Sequence, residues 1–367
     1  MLPRSRHGSC RNNMPSKNEM KKTVIIMLAA LCLCGCGKNK ESGNNDAAKR
    51  FLDAWVLVQK QKHPEYLWKQ TDMGSWILEE TQGVGSPVGE IADSTYILLN
   101  YTISQQDGTI TTTTYEKIAQ QLGTYDETSY YGPVTMYASG MYAGVEEIVK
   151  GMKKGGRCKA LIPSWLITYN RFDTADEYLD QKSDDTGTTS IYDIELIDSF
   201  EGIMQWSADS LGRYLVKAFP NKFGNDPVKA VADSSGTFGF YYIMTKSPSD
   251  YTELKDTTVY INYIGRLLNG RVFDTTIRDT AIRYGLSRDK TYEPITISYG
   301  DSWSEIRMGS SDSKVISGFA RTLSQMRAHE KGTGVFIHTL GYSYKGSGSS
   351  IPAYAPLRFD IELVDKP

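Results

Sequence analysis

The sequence repeats itself over a long distance, and this repeat limits the folds that the chain can adopt. The matching segments are 94–101 with 257–263, 144–152 with 318–326, and 193–196 with 360–363, at offsets of 162 (counted at the tyrosines that end the first pair), 174 and 167 residues. The last pair is identical and reads Asp-Ile-Glu-Leu. Drifting offsets are typical of a duplicated domain whose loops have changed length, whereas a solenoid keeps a short, fixed period. The 367 residues are therefore predicted to form two copies of one fold.

Each copy combines short strands with one helical segment. Residues 357–363 alternate between the two faces of a strand, as expected for a strand with one buried face. A helical stripe with apolar residues on one face covers 210–219 and ends at Pro220, just before the second copy. A shorter stripe precedes the first copy and consists of Phe51, Leu52, Trp55 and Val58. We expect both stripes to pack against the domain that follows, and the whole pattern predicts an α+β fold with antiparallel sheets.

Charge and cysteine content exclude several classes of protein. The 41 Lys+Arg and 43 Asp+Glu nearly balance, which argues against a basic nucleic-acid binder. The four histidines are scattered and form neither a zinc-binding spacing nor a catalytic triad. Four of the five cysteines lie in residues 1–36, so the remainder holds Cys158 alone and has no internal disulfide. Cys158 is predicted to fill a core position as a small apolar residue.

The N-terminal region has the pattern of an export signal. Lys21 and Lys22 precede an uncharged run over 23–34, which is too short to span a bilayer as a mature helix. Residues 33–36 read Leu-Cys-Gly-Cys and resemble a bacterial lipobox, with Cys34 as a departure from its pattern. The resemblance implies lipid attachment at Cys36, and acylation with several chains gives stable membrane attachment. A cleaved, soluble secretory signal is the alternative.

Removal of residues 1–35 would change the charge balance. It takes away six basic residues and one acid, which leaves 35 Lys+Arg against 42 Asp+Glu. The mature protein is thus predicted to be an acidic body on a lipid tether, with 38–46 as a flexible polar spacer. Whether the start is Met1 or Met20 stays open.

The second copy carries a series of motifs in a fixed order. Residues 269–276 read Asn-Gly-Arg-Val-Phe-Asp-Thr-Thr, six residues after Tyr263. They are followed by Val-Ile-Ser-Gly-Phe at 315–319, with Met326 seven positions after Phe319, and by Phe-Asp-Ile-Glu-Leu at 359–363. In this order, over about 110 residues, the motifs resemble those of the FKBP-type peptidyl-prolyl isomerases. The resemblance implies, for each copy, a twisted antiparallel sheet wrapped around one helix, with an apolar pocket between them.

The resemblance also implies the site residues and a chemistry without metal or cofactor. Phe319 would form the pocket floor, where the family usually has tryptophan, and Asp274 would orient a tyrosine or polarise the twisted carbonyl. The Ile316 backbone N–H would hold the peptide. The walls would be Tyr263, Phe273, Val315, Ile316, Tyr342, Ile351 and Phe359, with Tyr344 as the alternative to Tyr342. Two further departures are His338-Thr339 in place of Pro-Ser and a stretch over 280–308 with more loop than the family core requires.

The first copy is expected to keep the frame but not the pocket. Thr111 and Thr112 stand at the Phe-Asp positions, Val145 at the floor position and Tyr192 at the closing phenylalanine. Tyr169 is a possible pocket tyrosine. The predicted division is 1–36 (upstream extension and lipoprotein signal peptide), 37–74 (polar spacer and helical segment), 75–200 (degenerate FKBP-like domain), 201–236 (helical linker) and 237–367 (FKBP-like isomerase domain).

The leading hypothesis for function is a lipid-anchored prolyl isomerase of the cell envelope, catalytic in its second domain alone. It would act on proline-containing exported polypeptides, as an outer-membrane lipoprotein that faces the periplasm or the cell surface. The alternative from another class is a lipoprotein that grips peptides on the same frame without turnover, since fold does not fix function. A carbohydrate-capturing lipoprotein is a third, weaker candidate, because most aromatic residues follow strand and helix periodicities.

Overall fold

Two large antiparallel sheets, one in each half of the chain, organise the fold. The computed structural model describes residues 44–92, 94–137, 140–287, 289–309 and 313–367, and Asn44–Pro367 is one compact unit. Strands of the first half are β1 (Lys69–Gln70), β2 (Trp76–Thr81), β3 (Val84–Pro87), β4 (Thr95–Ser104), β5 (Ile110–Thr113), β6 (Val134–Tyr137), β7 (Lys153–Lys154), β8 (Arg157–Ile162) and β9 (Ser190–Glu201). Strands of the second half are β10 (Phe240–Lys246), β11 (Thr258–Leu267), β12 (Val272–Thr275), β13 (Ile295–Ser298), β14 (Arg307–Met308), β15 (Ser313–Lys314), β16 (Lys331–Phe336) and β17 (Leu357–Val364).

The two sheets share the order of four central strands, β2-β8-β9-β4 in the first and β10-β16-β17-β11 in the second. The first runs β1-β2-β8-β9-β4-β5, and β6 also pairs with β4; the second runs β10-β16-β17-β11-β13-β14-β15, and β12 also pairs with β11. Tyr101 in β4 lies opposite Ile194 in β9, and Tyr263 in β11 lies opposite Ile361 in β17. These equivalent pairs keep the offsets of 162 and 167 residues found in the sequence. The predicted α+β class with antiparallel sheets is confirmed.

Nine helices accompany the sheets in the described ranges. They are α1 (Asp46–Lys62), α2 (Glu116–Leu122), α3 (Ala143–Gly151), α4 (Ala175–Asp180), α5 (Ile203–Ala218), α6 (Pro220–Phe223), α7 (Pro227–Ala232), α8 (Arg278–Arg283) and α9 (Ser317–Gln325). Helix α3 buries Val145, Ile148 and Val149 in the first core, and α9 buries Phe319 and Leu323 in the second. The prediction of one helix per sheet is too simple, because the short helices α2, α4 and α8 lie between strands.

The helical stripe before the second copy packs as predicted. Leu211 and Leu215 of α5 are fully buried against Tyr241 of β10 and Val335 of β16. The neighbouring residue Phe240 belongs to the core around α9. Because successive side chains of a strand point to opposite faces, β10 and β16 are covered by α9 on one face and by α5 on the other.

The prediction that an apolar stripe packs before the first copy is wrong at two of its four positions. Leu52 and Val56, one helical turn apart, form the buried face of α1. Phe51 is 65% exposed and Val58 is 46% exposed. At about 100° per residue both side chains lie on the same side of the buried face, beyond Trp55, so the predicted stripe extends too far in that one direction.

The predictions for Cys158 and for the N-terminal region differ in whether the structure tests them. Cys158 in β8 is buried in the first core, where burial raises the pKa of its thiol to about 12, and its predicted packing role is confirmed. The signal peptide, lipid attachment at Cys36 and the start at Met20 fall on residues 1–43, which lie outside the described residues. Across the portion that the structure describes, every helix is too short or too polar to traverse a bilayer.

Buried His338 predicts how the stability of the folded protein depends on pH. Its Nδ1 lies 3.0 Å from Ser207 Oγ, its ring contacts Tyr354, and burial lowers the pKa of the imidazole below its usual 6.5. The unfolded chain therefore binds this proton at a higher pH than the folded chain, so stability falls as pH drops from about 6.5 towards the folded pKa. Urea unfolding at pH 7.5 and 5.5 is expected to show this loss, and His338→Gln to reduce it. The control His329→Gln changes an exposed histidine; equal pH dependence of all three proteins would contradict the prediction.

Candidate functional site

Four aromatic rings meet between the second sheet and helix α9. The ring centroids of Tyr263 and Phe319 are 5.5 Å apart, those of Phe319 and Phe359 are 5.0 Å apart, and those of Phe273 and Phe359 are 5.6 Å apart. Most of these contacts are edge-to-face, the arrangement that aromatic pairs prefer. The ring of Phe273 covers Gly265, where a Cβ atom would lie 2.6 Å from it. A larger residue at position 265 would collide with the Phe273 ring and displace it from the cluster.

Asp274 places a carboxylate at the edge of this cluster. The Tyr263 hydroxyl donates a hydrogen bond to Asp274 Oδ2, while Lys290 Nζ lies 2.8 Å from Oδ1. Burial, and then the negative charge of Asp274, raise the pKa of Tyr263, so its hydroxyl stays protonated at neutral pH. Of the two roles predicted for Asp274, orientation of a tyrosine is thus present in the geometry.

The start of helix α9 forms a second wall. Val315 and Ile316 pack against the aromatic cluster, and Ile316 is in an extended conformation just before the first helical residue. The Ile316 N–H has no hydrogen-bond acceptor among the described residues. Backbone donors near a core are nearly always paired, so this N–H is a donor available to a bound chain.

The loop over 341–356 forms the third wall. Tyr342 packs against the cluster, and burial together with the charge of Asp274 raises the pKa of its hydroxyl. Ile351 is buried in the same core, whereas Tyr344 is 60% exposed. The structure therefore brings Tyr342, and not Tyr344, to the site. All nine predicted residues, from Tyr263 to Phe359, lie in or beside this one cluster, and their functional roles stay predictions.

The first half contacts this loop, a feature that could not be predicted from the sequence. The Tyr130 N–H donates to the Ser349 carbonyl at 2.7 Å, and the ring of Tyr96 lies against Tyr354, with centroids 5.4 Å apart. Ser343 and Tyr354 have φ angles of 57° and 60°, a strained region for residues other than glycine. Contacts with the first half thus help to hold a strained loop that carries two residues of the site, Tyr342 and Ile351. Lys290, the partner of Asp274, was also missed, because it lies outside every motif.

The expectation that the first half has lost its pocket is wrong. An apolar cavity of about 150 Å³ lies between β4, β9 and the start of α3. The strand registers show which positions of the two halves are equivalent. Thr112 pairs with Ile103 in the first sheet, and Asp274 pairs with Gly265 in the second. Val145, at the position of Phe319, lines the cavity with a side chain smaller than phenylalanine and so leaves space. Its walls include Leu99, Tyr101, Met141, Val145, Tyr169 and Tyr192.

Comparisons with known proteins identify the second half. The family model of the FKBP-type peptidyl-prolyl cis-trans isomerases matches residues 251–364. The chain is 31% identical over 143 residues to FK506-binding protein 2 of Candida glabrata, covering 38% of this chain and 88% of that protein. It is 32% identical over 107 residues to peptidyl-prolyl cis-trans isomerase FKBP11 of Bos taurus, covering 29% of this chain but only 41% of that protein.

A similar solved structure is that of the three FKBP domains of wheat FKBP73. It covers 79% of this chain and 93% of that chain, at 14% identity and a TM-score of 0.27, which is too low to add to the assignment. The match to the family model, together with the coverage of the Candida protein, defines a protein with an FKBP-type domain. The chain belongs to the FKBP-type peptidyl-prolyl cis-trans isomerase family.

Proposed function

We propose that the second half catalyses cis–trans isomerisation of X–Pro bonds in polypeptides. The barrier of about 18–20 kcal/mol arises because the amide loses its resonance when it twists. The apolar rings around Phe319 would strip water from the bond and so disfavour the charge-separated planar form. A donor fixed at the Ile316 N–H would bind the chain as the bond twists. Interactions that are stronger in the twisted state raise the rate tenfold for about every 1.4 kcal/mol.

The observation that carries this proposal is the hydrogen bond between Tyr263 and Asp274 inside an otherwise apolar cluster. Asp274 lies at the partly exposed edge of the cluster, where its carboxylate is paired by the buried Tyr263 hydroxyl and by Lys290. The hydrogen bond between Tyr263 and Asp274 fixes the orientation of the Tyr263 ring and places polar groups beside the apolar rings. No nucleophile is required, because no covalent bond is formed or broken in the reaction.

The test is an isomerase assay on residues 44–367 with a tetrapeptide that contains Leu-Pro. We expect catalysed cis-to-trans conversion, which Phe273→Ala reduces. Thr111→Ala, at the equivalent register position of the first half, is the matched control and is expected to leave the rate unchanged. Absence of turnover in the unmutated protein, with saturable peptide binding, would favour a non-catalytic peptide-binding protein instead.

We further propose that the two halves are tandem FKBP-like domains, with turnover confined to the second. The shared strand order and register support this, and so does the absence of an acid at Thr112. The first domain would then be a degenerate copy that serves in docking. Isomerase activity that persists in full after both Phe273→Ala and Asp274→Ala would contradict the assignment to the second half.

We also propose a place in the cell envelope, through lipid on Cys36, where the protein would assist the folding of exported polypeptides. Support comes from the basic pair, the apolar run and the lipobox-like residues 33–36 in the sequence. In cells fed labelled palmitate, the full chain is expected to carry label and Cys36→Ala to lose it. Cys34→Ala is the matched control and should keep the label. Label retained in Cys36→Ala, or absent from the unmutated chain, would overturn the anchor.

A further inference from the structure

A groove lies between the two halves, beside the loop over 341–356, and has a volume of about 240 Å³. Its lining residues include Leu98 and Pro133 from the first half, Trp206 from helix α5, and Leu267 and Pro356 from the second half. None of the described residues that line the groove is charged, and most are apolar. This volume exceeds the roughly 150 Å³ of a cavity that binds benzene and is below the roughly 300 Å³ where drug-sized sites begin. The groove therefore has room for one large apolar side chain.

The groove adjoins the candidate site of the second half. Tyr130 and Ala355 line the groove, and both also pack against the core that contains Phe319. Pro352, another lining residue, directly follows Ile351, which is buried in that same core. A polypeptide bound over Phe319 is therefore the molecule that reaches the groove without a second binding event.

Strand β11 gives the distance between the site and the groove. Tyr263 and Leu267 are four residues apart on β11 and lie on the same face, since successive side chains of a strand alternate. At a rise of about 3.3 Å per residue, their backbone positions are about 13 Å apart. An extended client spans this distance with about four residues.

The shape of the groove is fixed by contacts from both halves. Tyr354 lines the groove with a φ angle of 60°, a strained conformation that persists only where the surroundings impose it. Its ring contacts Tyr96 of the first half and His338 of the second. A groove whose shape is set before binding loses less entropy when a side chain enters it.

We infer that the groove between the halves is a substrate subsite, which binds one large apolar side chain of the client about four residues from the proline in the second half. The proline and this side chain would lie in one extended segment of the client. Because Leu98, Tyr130 and Pro133 come from the first half, that half would select the clients that the second half turns over. This inference rests on the proposed function, since the isomerase site fixes the position of the proline.

The spacing is testable with longer Leu-Pro peptides on residues 44–367. Each peptide carries Phe at about two to seven residues from the proline, on either side, and is compared with the same peptide carrying Ser. At a spacing of about four, Phe is expected to lower KM about three- to tenfold. The value of kcat should stay unchanged, because a contact remote from the twisting bond binds all its states equally.

Two outcomes separate this inference from the proposed function. Equal KM values for the Phe and Ser peptides at every spacing, with turnover intact, would overturn the subsite alone. Absence of turnover would overturn the proposed enzyme alone. In that case the binding affinities of the same peptides replace KM, and the presence or absence of the spacing dependence decides on the subsite.

The location of the side chain is testable with 5-fluorotryptophan. Trp206 lines the groove, whereas Trp55 belongs to helix α1 of the first half. The ¹⁹F signal of Trp206 is the one that Trp206→Phe removes. It is expected to shift saturably with the best Phe peptide and less with its Ser counterpart, while the Trp55 signal stays in place. A Trp206 signal that does not respond to the Phe peptide would contradict the assignment.

A variant of the first half tests whether that half contributes to the subsite. Thr135 lines the groove, and Thr135→Trp would fill it. We expect this variant to raise the KM of the Phe peptide to that of the Ser peptide. Thr188→Trp makes the same change at an exposed position of the first half and should keep the difference. With both variants folded by near-UV circular dichroism, a difference retained in Thr135→Trp, or lost in both, would contradict the subsite.

Discussion

Replacement of Asp274 by alanine is expected to lower kcat/KM for X–Pro isomerisation roughly 10- to 100-fold. The carboxylate accepts the Tyr263 hydroxyl at the edge of the aromatic cluster. A hydrogen bond to a charged group contributes about 1.5–3 kcal/mol, and each 1.4 kcal/mol corresponds to a tenfold change in rate. Without the acid, the Tyr263 hydroxyl loses its partner in a buried position, and its ring loses its fixed orientation. The measurement is the protease-free cis-to-trans assay at several substrate concentrations.

Asp274→Asn and Thr112→Ala are the controls for this result. Asparagine keeps the size and one acceptor oxygen but not the charge, so we expect a smaller loss than with alanine. Thr112 has the register position of Asp274 in the other sheet, and its replacement by alanine should leave turnover unchanged. A rate within twofold of the unmutated protein for Asp274→Ala would show that the acid only supports the fold.

Replacement of Phe336 by alanine is expected to cost about 3–5 kcal/mol in the free energy of unfolding. Phe336 is fully buried, and its ring is stacked on Phe359 with 5.9 Å between centroids and 8° between planes. It also fills the space above Gly318 of helix α9, where a Cβ atom would lie 2.4 Å from the ring. Since domains are stable by about 5–15 kcal/mol, this loss would be large. Urea unfolding measures it.

Phe238→Ala is the matched control for the stability measurement. Phe238 is 48% exposed, and its replacement should change the free energy of unfolding by less than about 0.5 kcal/mol. A similar loss for both variants would contradict the packing described for Phe336. A changed slope of free energy against urea would instead indicate that unfolding has ceased to be two-state.

The equivalence of the two sheets was predictable from the sequence because both halves keep their register. The identical segments 193–196 and 360–363 lie in the central strands β9 and β17, where a slip by one residue would turn every side chain to the wrong face. The cluster around Tyr263 and Phe359 was predictable for the same reason. Most of its residues lie on strands, or at the start of α9, where sequence spacing determines position; Tyr342 and Ile351 lie on a loop instead.

The errors have physical causes that the sequence does not display. The cavity of the first half depends on how side chains of different size fill one space, so Val145 was interpreted as the loss of a pocket floor although it lines an open cavity. Tyr342 was predicted correctly, but Tyr344 stayed an alternative because a turn at Ser343 with positive φ is not marked by any sequence pattern. The width of the stripe in α1 was overestimated because Phe51 is apolar yet exposed.

The contacts of Tyr130 and Tyr96 with the loop over 341–356 also bear on the order in which the protein matures. Domains generally fold from the N-terminus as the chain is synthesised. Segments that bind Ser349 and Tyr354 are therefore made, and can be folded, well before the ribosome adds that loop. The loop would close on a surface that already exists, so the first half would act as a template during biogenesis of the second, whatever it binds afterwards.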